Sequence, residues 1–219
     1  MSYDLYLRDP VTGNALKVPG HMMFGGNVPC KIMNGHFIPI PSTNAYLNIT
    51  YNYARYYYEA FPSADENGNP EQNKADKEQF GIISDEGGIR SLNGVTGLAA
   101  VPILQEMINR ISKKYKNQDG TWIVTRREEP IYIDSSTGKE VEFYDVLSQY
   151  LQLKKNSAST EEVESAAKRY EEKKKILHVD EGSNGDDYWT PTAANAIRPL
   201  YQLITLSRMR PDGVWSEES

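Results

Sequence analysis

The 219-residue chain contains one cysteine, Cys30, so it cannot form a disulfide within itself or a cysteine-based zinc cluster. Its three histidines, His21, His36 and His178, are scattered, and no pair has the i, i+4 spacing that would put two ligands on one helix face. No metal and no cofactor is expected. There is no apolar run of the roughly 18 residues that a membrane-spanning helix needs. The opening Met1-Ser2-Tyr3-Asp4-Leu5 also lacks the basic and apolar stretches of a secretory signal. The expectation is a chain that is neither exported nor membrane-spanning and works in a reducing cytoplasm, where the sequon Asn48-Ile49-Thr50 has no route to glycosylation. Excess positive charge is missing too: the formal charge is −6. Affinity for phosphate backbones comes mainly from Lys and Arg, so direct nucleic-acid binding is not expected. The acidic residues are interspersed with basic ones rather than blocked, which disfavours a nucleic-acid mimic.

Six of the fifteen tyrosines, by contrast, fall within residues 46–58, interleaved with Asn48, Asn52 and Arg55. Asn48 or Thr50 is placed to cap a helix from Tyr51 to Phe61. Helical spacing divides its aromatics. Tyr53, Tyr57 and Phe61 form one stripe, expected to serve the core, while Tyr51, Arg55 and Tyr58 line a neighbouring face. That second face has the ingredients to stack a flat ring and pair an anion with a guanidinium. Packing of Arg55 across a tyrosine ring is the plainer alternative.

The rest of the chain reads as an α+β fold: a compact body of a few antiparallel strands and hairpins with about three core helices, plus an appended hairpin-and-helices insertion. Tyr3, Leu5 and Leu7 alternate before a turn at Asp9–Asn14, predicting a hairpin with residues 15–18. Gly20–Asn27 predicts a loop, and Phe37-Ile38-Pro39-Ile40 an irregular strand. Residues 62–80 are so polar that a mobile loop is expected. Thr96 precedes a helical pattern through Val101, Leu104, Ile108, Ile111 and Tyr115, with Pro102 tolerable near its start.

The N-terminal part of the body is therefore 1–116. Residues 117–180 are read as an inserted module, with a hairpin at 131–141, a helix near 143–154 and a second helix opened by Ser159 and Glu162. Residues 181–219 complete the body through a helix that Thr190 and Pro191 start and that carries Ile197, Leu200, Leu203 and Leu206. An Asp212-Gly213 turn then presents Trp215 to the core.

No catalytic motif accompanies these elements. Gly25-Gly26-Asn27 lacks the spacing of a Walker or dinucleotide loop. His178-Val179-Asp180 and the pair His21 with Asp212 are the weak candidates for acid–base chemistry on a nucleotide or phosphodiester. A non-enzymatic binding role is the better reading. Arg90, Asn195 and Arg198 stand beside apolar patterns, with Asn195 and Arg198 on one helix face. Pairing with Asp187 or Asp212 would make them structural. If Arg55, Arg90 and Arg198 converge they make an anion site, and the candidate ligand set is Asn48, Tyr51, Asn52, Arg55, Tyr58, Arg90, Asn195 and Arg198.

The segments Leu47-Asn48-Ile49-Thr50-Tyr51-Asn52-Tyr53 and Gly88-Ile89-Arg90, then Tyr188-Trp189 through Asn195-Ala196 to Leu203, and Arg210-Pro211-Asp212-Gly213-Val214-Trp215 resemble a family of small accessory proteins encoded in bacteriophages and prophages. The resemblance covers the first hundred residues and the last thirty, and residues 117–180 depart from it. It implies a setting in the host bacterial cytoplasm and a role in antagonising bacterial immunity, with a nucleotide-type small molecule or a host defence protein as partner. It transfers no catalytic residues, and a homo-oligomer is compatible with it.

Overall fold

Residues 2–8 alternate between apolar and polar side chains, and that alternation builds the middle strand of the main sheet. The computed structural model describes residues 2–19, 30–34, 36–39, 42–141, 146–148, 151–152, 155, 168–183 and 189–218. Strand β1 (Ser2–Arg8) buries Tyr3, Leu5 and Leu7 on one face. It is flanked by two antiparallel partners, β6 (Tyr46–Thr50) and β10 (Val214–Glu218), in the order β10-β1-β6. The expected hairpin with residues 15–18 shrinks to a bridge between Arg8 and Ala15, because β1 gives its two edges to these distant strands. Two small antiparallel ladders lie between: β2 (Lys17–Pro19) with β5 (Ser42–Asn44), and β3 (Cys30–Met33) with β4 (His36–Pro39).

Three helices pack around the main sheet's apolar residues. The Thr50 hydroxyl accepts from Asn52 N–H and caps a 3₁₀ turn, Tyr51–Tyr53, that runs into α1 (Ala54–Ala60). Tyr53, Tyr57 and Phe61 are buried as their spacing predicts, and Tyr56 joins them. Helix α3 (Gly97–Tyr115) starts at the Thr96 cap and buries Leu104, Met107, Ile108 and Ile111. The last helix, α4 (Ala193–Met209), lies against it and starts at Thr192, two residues beyond the expected Thr190. The shift has a cause: the buried Glu181 side chain accepts from Ala193 N–H at 2.9 Å and lies 2.8 Å from the Tyr56 hydroxyl oxygen, so it satisfies a first-turn N–H of the helix. Trp215 is buried and donates to Ser207 Oγ at 3.0 Å.

A further expectation is corrected. Within the supposed mobile loop 62–80, Pro70–Phe80 form a helix, α2. Asn69 caps it, Pro70 sits in its first turn, and Gly81 ends it in the left-handed conformation (φ 68°). Its buried residues are Asn73 and Asp76, both polar, so no apolar periodicity announces it. Asn73 donates to Pro62 O at 2.9 Å, and Asp76 takes a two-pronged bond from Arg110 at 2.7 and 2.8 Å.

The chain divides into two units, Met1–Ile123 with Asp180–Ser219, and Val124–Val179. Residues 117–123 stay with the first unit rather than with the insertion, because Trp122 and Ile123 pack on the core and Ile123 N–H donates to Tyr115 O at 3.1 Å. In the second unit β7 (Val124–Asp134) and β8 (Lys139–Val141) make the expected hairpin, with Gly138 at φ 68° in its turn. The charged run 171–175 belongs to strand β9 (Tyr170–Asp180), which borders β7. Residues 146–148 and 151–152 are helical. The expected helix start at Ser159 and Glu162, and the loop carrying His21, lie outside the described residues.

Candidate functional site

The exposed side of α1 opens onto a cleft of about 1010 Å³. Tyr58 and Glu59 follow Arg55 by three and four residues on that helix, and all three line the cleft. Arg90 comes from the 3₁₀ turn Gly88–Leu92, and Arg110 from the middle of α3. The opposite wall is the segment Pro62–Asn69 with Gln72 of α2 and Glu86. This wall is folded tightly on itself. A side chain at Gly68 would lie 2.2 Å from Ser63 O, and one at Gly87, where φ is 71°, would lie 2.4 Å from Ser63 N.

The three guanidiniums differ in how much of their bonding is taken. Arg110 is the most fully engaged: it donates to both oxygens of Asp76, to Ala60 O at 2.9 Å and to Glu106 at 2.9 Å. The Asp76 hydrogen bonds raise its pKa against the opposing effect of desolvation. It braces α1, α2 and α3 rather than offering itself to a ligand. Arg90 donates through Nε to Glu217 at 3.0 Å and reaches the hydroxyls of Tyr51 at 3.3 Å and Tyr58 at 3.5 Å. Desolvation works against its charge, but the hydrogen bond and charge of Glu217 outweigh it and raise the pKa. Tyr3 lies beneath, its ring centroid 5.6 Å from the guanidinium carbon, and burial pushes its phenol pKa up.

Arg55 is the open one. It donates to the Tyr115 hydroxyl at 3.0 Å, and Glu59 is 3.7 Å away. Its side chain is 41% exposed, and its guanidinium carbon lies 5.3 Å from the centroid of the Tyr56 ring. Tyr115 donates in turn to Glu59 at 2.5 Å, and desolvation followed by that hydrogen bond lifts its pKa to about 12.

Of the eight residues singled out from sequence, Arg55, Tyr58 and Arg90 line this cleft, and Tyr51 touches it through Arg90. The other four do not line it. Asn48 spends its amide on Ser2 and Asp4, both at 2.8 Å, within the sheet. Asn52 donates to Trp189 O at 2.7 Å. Asn195 is buried at the start of α4, donating to Thr190 O at 3.1 Å, and Arg198 leans on it at 3.5 Å. The anticipated convergence of three arginines thus has Arg110 in the place given to Arg198. Asp212 pairs with Arg210 at 2.8 Å. The sequence reading missed Arg110 and the wall Pro62–Asn69. The one signal for Arg110 is Glu106 at i−4 on α3.

Among the described residues no group of His, Cys, Asp and Glu could hold a metal ion. No helix of the described residues is long and apolar enough to cross a membrane. Comparison with protein-family models, curated proteins and solved structures finds no match to this chain.

Proposed function

We propose that this chain is a non-enzymatic binding protein that holds a nucleotide-type ligand in the cleft beside α1. The observation that carries the reading is the grouping of an open guanidinium, Arg55, a second one held in place by a carboxylate, Arg90, and the partly exposed ring of Tyr58 on one wall. Guanidiniums take a phosphate or carboxylate through paired N–H donors, and a tyrosine face stacks a flat ring. Glu217 fixes Arg90 before any ligand arrives, which lowers the ordering cost of binding. The biological setting comes from the resemblance of the segments around Tyr51, Arg90 and Trp215 to phage accessory proteins. In that setting the bound ligand is a signal of bacterial immunity, and holding it antagonises the defence.

Titration calorimetry with cyclic di- and trinucleotides and with ADP-ribose derivatives tests this. At least one should bind, and Arg55→Ala should weaken it about tenfold or more, the worth of one charge-assisted hydrogen bond. Arg55 is exposed, so this variant keeps the fold intact. Absence of heat with every ligand removes the proposal.

A further inference from the structure

The charges around the cleft say which kind of phosphate it suits, given that it takes a nucleotide-type ligand as proposed above. Three guanidiniums, Arg55, Arg90 and Arg110, line it together with three carboxylates, Glu59, Asp65 and Glu86. Each guanidinium already faces an acid: Arg110 faces Asp76, Arg90 faces Glu217, and Arg55 faces Glu59 at the longer distance of 3.7 Å. Glu59 is further shared with Lys114 at 3.1 Å. Two carboxylates of the lining then remain without a cation among their contacts. Asp65 accepts from Ser63 Oγ at 3.0 Å and Asn67 N–H at 2.9 Å, and Glu86 bonds only to neutral groups, Asn93 among them at 3.4 Å. A triphosphate would bring several negative charges into a cleft whose acids already match its bases, and like charges brought together cost affinity.

We infer that the cleft selects a phosphodiester, whose phosphate carries a single negative charge, over a polyphosphate of the same nucleoside, which concentrates several. The single charge meets Arg55 and Arg90 beside Tyr58. The hydrogen-bond donors of a base meet the acceptors of Asp65, Glu86 and the Asn67–Asn69 turn. Both halves of such a ligand find a complement, whereas a terminal polyphosphate finds one at its first group only.

The experiment compares adenosine, 3′,5′-cyclic AMP and ATP by calorimetry in magnesium-free buffer on the full chain. The expected order is cyclic AMP tightest, with ATP and adenosine each weaker by about tenfold. ATP binding as tightly as cyclic AMP, or tighter, overturns the inference while leaving the binding function standing. If none of these three binds but a cyclic di- or trinucleotide does, the same comparison is made between that ligand and its linear form carrying a 5′-triphosphate, with the same two outcomes. Silence from every nucleotide removes the binding function and the inference with it. Glu86→Gln, at an exposed position, supplies a second reading: it should narrow the gap between the two ligands by about threefold to tenfold. An unchanged ratio in this variant also counts as overturning it.

Discussion

Helices α2 and α3 touch each other and are held by different balances of forces. Helix α3 buries Ala100, Ile103, Leu104, Met107, Ile108 and Ile111 along one face, and its place is set by apolar area removed from water, each large side chain contributing about 1.5–3 kcal/mol. Helix α2 fully buries only Asn73 and Asp76, and its place is set by hydrogen bonds to Pro62 O and to Arg110, with the half-buried Phe80 ring 5.8 Å from that of Phe61 as its one apolar anchor among the described residues. A net hydrogen bond contributes only about 1 kcal/mol, or somewhat more when charged. The α3 side of the molecule is therefore strongly built, and the α2 side, which with Pro62–Asn69 walls the cleft, is geometrically specific but weakly held. A cleft bordered on one side by a firmly packed wall and on the other by a more weakly held one is the outcome of this division.

The largest expected effect tests the firm side. Leu104 is fully buried between helices, and Leu104→Ala should cost about 3 kcal/mol of global stability through lost transfer energy and a residual cavity. Denaturant unfolding measures it, and all elements of the body should lose protection together. Asp76→Ala should come next, at about 2 kcal/mol, less than a fully buried pair because the Arg110 side chain is 24% exposed. Its signature differs in kind: hydrogen exchange should rise in residues 70–80 while the amides of α3 keep their protection. If Asp76→Ala instead lowers the whole unfolding transition without local opening, the two helices are held alike and the contrast between them fails.

The same contrast explains what could be read before any coordinates. Tyr53, Tyr57 and Phe61, the core stripe of α3, and the row Ile197, Leu200 and Leu203 of α4 are legible because burial imposes a 3.6-residue period on apolar letters. Helix α2 is illegible because its anchors are Asn73 and Asp76, letters that also spell a loop. The sheet order β10-β1-β6 is illegible for another reason: it joins chain ends some two hundred residues apart, and nothing local in Val214–Glu218 names Ser2–Arg8 as its partner. The site divides in the same way. Arg55 and Tyr58 are found by spacing on α1, whereas Arg110 and Gly68 acquire a role only through tertiary contacts.

The smallest effect concerns the end of α3, where the apolar stripe gives way to a polar contact with the cleft wall. Tyr115 donates to Glu59 and accepts from Arg55, and its pKa rises to about 12. An unfolded tyrosine titrates near pH 10, at about its model value. The folded chain therefore holds the Tyr115 proton through a window in which the unfolded chain has released it. The stability this proton linkage provides is full below about pH 10 and declines as pH rises toward about 12. Tyr115→Phe removes the ionising group, so the variant should lose less stability than the parent between pH 9.5 and 11, read as the change in denaturant midpoint. Identical slopes would mean that burial and the Glu59 hydrogen bond do not hold the phenol proton in solution. The firm helix would then end without a polar link to the cleft, and Arg55 would be freer to turn toward a ligand than its contacts suggest.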